Sequence, residues 1–78
     1  MLRDIDYAAK AVKTALVEKF GKQNDLQDLN VTANDRTITV EHLGRRIEAT
    51  RDDLQAAVRR ASTYAAFWEA SAKVGQAS

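Results

Sequence analysis

Leu2, Ile5, Ala9, Val12, Leu16 and Phe20 recur at steps of three and four residues, the spacing of one helical face. Ala8 and Ala15 widen that stripe. The pattern predicts a helix over 4–20, opened by Asp4 as N-cap and ended by Gly21. Between Lys22 and Asn30 no period holds, which reads as a loop pinned by Leu26 and Leu29. Alternation then takes over. Leu29, Val31 and Ala33 share one face of a strand at about 29–33, and Ile38, Val40 and His42 one face of a second at about 37–42. Ile47 and Ala49 alternate with Arg46, Glu48 and Thr50 in a third, at about 45–50. Asn34-Asp35 and Leu43-Gly44 supply the reversals.

Thr50 opens the last element, with Asp53 three residues on and Asp52 beside it to complement the helix dipole. Leu54, Val58, Ala61, Ala65, Trp68 and Ala72 then step by four and three, which predicts one long helix over 51–74. The expected fold is α+β: a single domain in α-β-β-β-α order, a three-stranded antiparallel sheet with both helices on one face.

The end of the chain changes that picture. ASTYAAFWEASAKV, 61–74, carries three of the five aromatics on an alanine-rich backbone with only Glu69 and Lys73 charged. A helix so apolar round its circumference cannot bury everything against one face. At about 36 Å it also outreaches a first helix of about 25 Å, so its last turns overhang. Phe67 sits about 100° round from Trp68, which points the two in different directions. Tyr64, Phe67, Trp68, Ser71 and Val74 are therefore the expected partner-binding residues, with simple core as the competing reading.

Composition favours the same view. Fourteen of the thirty-five hydrophobic residues are alanine, so few large side chains are left to fill a core. A chain of 78 residues buries roughly 60% of its unfolded surface, and such domains lean on disulfides, metals or partners. There is no cysteine and one histidine, which leaves partners. The expectation is a protein partner, or a homodimer through the C-terminal helix. A net charge of +1 gives no field to steer nucleic acid. No apolar run approaches a membrane span, and MLRDIDYAAK lacks the apolar core of an export signal, so a cytoplasmic location is expected.

Catalytic constellations are missing. His42 has no implied Ser or Asp partner and reads as a strand-end surface residue. Isolated glycines form no phosphate loop, and one His with scattered carboxylates forms no metal site. No cofactor is expected, and no enzyme. One basic cluster is geometrically open: a second helix folding back over the third strand brings Arg59 and Arg60 level with Arg45 and Arg46. These four could meet a phosphate or an acidic partner; the competing reading pairs them with Glu48 and nearby acids.

The α-β-β-β-α order resembles that of the double-stranded RNA-binding domain, which implies phosphate contacts from a lysine-rich start to the second helix. Here those positions read Arg51-Asp52-Asp53. Gly44-Arg45-Arg46-Ile47-Glu48-Ala49-Thr50, followed by Asp53-Leu54, looks like the hairpin entering the second helix in the small head–tail joining proteins of lambda-like phages. That similarity covers about a third of the chain and implies assembly onto a larger complex, with a phage or mobile-element origin. The expected function is a non-catalytic protein-interaction module, self-assembling or docking as an adaptor or inhibitor. The alternative is a nucleic-acid-binding domain using the four arginines.

Overall fold

The computed structural model describes residues 3–77. The first helix, α1, is Asp4–Phe20, and the strands β1, β2 and β3 are Asn30–Ala33, Ile38–His42 and Arg45–Ala49. Antiparallel pairing of β1 with β2 and of β2 with β3 sets Val31 opposite Val40 and Val40 opposite Ile47. The α+β architecture follows the hydrophobic pattern. Val40, Ile38 and Ile47 are buried with Val12, Leu16 and Phe20 in one cluster. The other face of the sheet is polar. There Asn34 and Thr39 both donate to Glu48, at 2.9 and 3.3 Å.

Two details at the ends of α1 differ from expectation. Arg3, not Asp4, is the N-cap, because the Asp6 carboxylate accepts the Arg3 backbone N–H at 2.9 Å. That bond and the Arg3 side chain hold the Asp6 carboxyl below its ordinary pKa. Gly21 stays right-handed at φ −64°, and the Asn24 amide donates to the Phe20 carbonyl instead.

The long C-terminal helix is the larger correction. It is two helices, α2 at Arg51–Arg60 and α3 at Tyr64–Val74, separated by Ala61-Ser62-Thr63. Ala61 leaves the helical region at ψ 127°, and Thr63 at φ −134°, ψ 161° caps α3 by accepting the Ala66 N–H at 3.1 Å. Thr50 caps α2 in the same way, accepting from Asp53 at 3.2 Å. The last carbonyls of α2 have a partner too: Lys19 Nζ donates to Val58 and Arg59. So α2 packs against α1 on one side and α3 on the other, while α1 rests on β1 and α3 on β3. At about 15 and 16 Å neither half overhangs.

A two-residue strand, β4 at Gln76–Ala77, then pairs antiparallel with Ile47 and Glu48 and makes the sheet four-stranded, in the order β1-β2-β3-β4. Gly75 allows this approach. A Cβ there would lie 2.5 Å from the Glu48 carbonyl oxygen and 2.9 Å from the Ala49 Cβ.

Thr63→Ala removes the cap that starts α3 and is expected to lower stability by about 1 kcal/mol, as Thr50→Ala does for α2. Denaturant unfolding measures both. An unchanged midpoint for Thr63→Ala would show that the break is fixed by packing alone.

Candidate functional site

Folding α3 back encloses the residues that the sequence offers to a partner. Phe67 and Ser71 are fully buried and Trp68 is 7% exposed. Phe67 and Trp68 do point in different directions, but α2, β3 and the end of α1 cover α3 from several sides. The Phe67 ring meets Phe20 at 6.5 Å and lies parallel to Tyr64 at 6.4 Å, while Trp68 stands edge-on to Tyr64 at 6.2 Å. Tyr64 is half-buried, and only Val74 is mainly exposed, at the far end of α3. Within one chain, this aromatic group is core.

His42 corrects a second expectation. It is buried, not a strand-end surface residue, with Nδ1 2.9 Å from Tyr64 Oη and the rings edge to face at 5.6 Å. Burial raises the Tyr64 phenol above its ordinary pKa, against the opposing effects of the nearby Trp68 indole N–H and the Arg45 charge. His42 Nε2 and Trp68 Nε1 are buried with no hydrogen-bond partner among the described residues. Both side chains line an open cleft of about 420 Å³, together with Tyr64, Arg45, Leu43 and the Asn24-Asp25 loop.

A second groove adjoins it and shares Arg45 and Trp68. Ile47 and the Arg45-Arg46 stretch of β3 form one wall, and Ala65, Glu69 and Ala72 of α3 the other. It is mostly apolar and runs along the edge of the sheet. In a hairpin closed by a two-residue loop, the first pair, His42 with Arg45, faces inward; the backbone N–H and C=O of Arg46 and Glu48 therefore point to the open edge. β4 takes the Glu48 position. Among the described residues Arg46 has no strand opposite it on that side.

Leu43 marks the end where both grooves meet. It is 76% exposed and sits at φ +50°, followed by Gly44 at φ +83°. The left-handed region costs an ordinary side chain about 1 kcal/mol, and a large apolar group at a solvated tip gains nothing back from burial. Sequence reading used Leu43-Gly44 only as a turn; a leucine where Asn or Asp is favoured was the signal it left aside.

The four arginines do not form one patch by contact. Arg45 and Arg46 stand on β3 beside the groove, and Arg59 and Arg60 are exposed in the last turn of α2. Among the described residues none of the four pairs with a carboxylate, Glu48 included. No helix among the described residues is long and apolar enough to cross a membrane.

Phe67→Ala is expected to cost about 3–5 kcal/mol and to leave little folded protein, because it empties the middle of the core. Circular dichroism checks this; a folded variant with altered self-association would return Phe67 to the surface. Leu43→Asn should do the opposite and stabilise the fold by up to about 1 kcal/mol, since asparagine accepts positive φ. A lower melting temperature for Leu43→Asn would mean that the leucine is held by contacts other than those described.

Comparison of the chain with protein-family models, curated proteins and solved structures found no significant match, so neither family resemblance gains support.

Proposed function

We propose that this protein is a non-catalytic protein-interaction module that takes an extended segment of a partner as an added strand along β3. The observation that carries the reading is the edge itself. Among the described residues no strand meets the outward backbone groups of Arg46, which lie beside an apolar groove walled by Trp68, Ala65 and Ala72. Edge strands with a neighbouring groove bind extended peptides by main-chain hydrogen bonds for affinity and side-chain pockets for specificity.

The chain already accepts a strand here. β4 pairs with Ile47 and Glu48, in the antiparallel sense, and its described residues fill the outward-facing Glu48 position. An incoming segment that displaced those two residues would take the Glu48 position in their place. Arg45 and Arg46 set its chemistry. Charges on an edge oppose indiscriminate pairing, and two arginines without ion-pair partners among the described residues favour a segment with acidic side chains.

Self-association through Phe67 and Trp68 is not carried forward, because a single chain buries both. The nucleic-acid reading keeps one supporting observation, the lack of ion-pair partners at Arg45, Arg46, Arg59 and Arg60 among the described residues. It ranks second because the pairs stand on separate elements and the net charge is only +1.

The test is selection of ten-residue peptides from a display library, followed by binding to variants. Arg46→Pro removes an outward N–H at a position where a solvent-facing edge tolerates proline. Peptides with acidic residues are expected to bind the unmodified protein and to lose at least about tenfold in affinity on Arg46→Pro, the scale of one or two lost hydrogen bonds. Binding unaffected by Arg46→Pro would overturn strand addition. Steeply salt-dependent binding to duplex DNA or RNA, lost when all four arginines become alanine, would move the second reading to first.

A further inference from the structure

We propose that this chain forms a dimer by exchange: in two copies α2 and α3 straighten into one helix across Ala61-Ser62-Thr63, and each α3, with β4, takes on the other copy the seat that α3 holds here. Such a dimer does not require strand addition at β3. It is not association through an exposed aromatic face either, because Phe67 and Trp68, buried within one chain, stay buried after exchange.

The backbone does not impose the break. Ala61, Ser62 and Thr63 include neither glycine nor proline, and the chain has no proline at all, so no residue there bars a helix. The apolar spacing runs on through them, with Ala61 and Ala65 four apart between Val58 and Trp68. Two side chains hold the broken form. Thr63 accepts the Ala66 N–H, and Lys19 Nζ donates to the Val58 and Arg59 carbonyls. A continuous helix would pair those same carbonyls with the N–H groups of Ser62 and Thr63. Straightening restores the backbone bonds and gives up the side-chain ones.

In a lone chain that trade fails, because α3 would carry Phe67 and Trp68 off the sheet. A second copy removes the obstacle. The seat of α3 is made by α2, β3 and the end of α1. Phe20 meets Tyr64 at 5.8 Å and Phe67 at 6.5 Å, and His42 meets Tyr64 at 5.6 Å. An identical chain offers the same rings in the same places, so the contacts that α3 loses at home are remade between copies. β4 follows α3 and would pair with β3 of the receiving copy. Exchange costs the freedom lost on association and gains an unbroken helical ladder in both chains. Short segments between packed elements are the usual hinges for it.

The test is refolding from denaturant at low and at high protein concentration, followed by light scattering. The unmodified chain is expected to be a monomer at low concentration and to show a dimer at high. Ser62→Ala with Thr63→Ala should lower the dimer dissociation constant by roughly thirtyfold, since a cap that acts only in the broken form is lost from both chains. Ser62→Pro should do the reverse and leave monomer at every concentration. Ala61, at φ −76° and ψ 127°, already has the extended backbone that a residue before proline needs. The Ser62 N–H has no backbone partner among the described residues, whereas proline inside a continuous helix breaks it. Should Ser62→Pro not fold, Ser62→Gly carries the same expectation with a smaller shift. Mixed dimers, refolded from copies carrying different isotopes, are expected to show Phe20 close to Phe67 of the other chain in proton–proton transfer spectra. An unmodified chain that stays monomeric at every concentration would overturn the proposal. So would a dimer that keeps Phe20 and Phe67 in contact within one chain, or one that Ser62→Pro forms as readily.

Discussion

The hydrogen bond from the Ala66 N–H to the Thr63 hydroxyl fixes where the last third of the chain turns, and most of the tertiary structure follows from that turn. An unbroken helix from Arg51 to Val74 would project Phe67 and Trp68 beyond the sheet and into water. Interrupting it leaves three residues outside the helical ladder, at a cost of a few backbone bonds each worth about 1 kcal/mol net. The return is larger. Full burial of a side chain of that size contributes about 1.5–3 kcal/mol, and both Phe67 and Trp68 gain it, with Tyr64 half-buried beside them. The cap at Thr63, and the Lys19 contact with the carbonyls at the end of α2, recover part of what the break gives up. Burial wins.

Where sequence was legible, one period dominated a whole segment. The α1 stripe runs unbroken through its helix, and the alternation at Ile38–His42 and Arg45–Ala49 places the two central strands within a residue. The break in the last helix was hidden for the same reason that made the rest visible. Ala61 to Ala65 is a step of four, so the heptad spacing continues across three residues that are not helical. Periodicity records only the apolar positions and is blind to what lies between them. Ser62 and Thr63 held the contrary signal, two residues that compete for backbone partners and favour caps over helix interiors. His42 failed differently. Its environment is made by Tyr64, twenty-two positions away, and no local pattern reports a partner at that distance.

The unmet costs of this small fold are unevenly placed. At one end the polar groups are satisfied: Thr50 caps α2, Asp6 closes α1, and Asn34, Thr39 and Glu48 bond one another. At the other end stand a leucine in the left-handed region and two buried nitrogens with no partner among the described residues. Ser71 Oγ is a third such atom, further along α3 and apart from the cleft. A domain whose stability is of order a few kcal/mol has little room for such terms. Yet they gather at the hairpin tip, beside Arg46 of β3, which no described strand faces on its outer side. Departures from local rules that cluster in one place, with no structural gain there, are the usual mark of a surface shaped for something other than folding. The apolar tip and the two unpartnered nitrogens come from separate parts of the chain, the β2–β3 hairpin and α3, and meet at one end of the sheet.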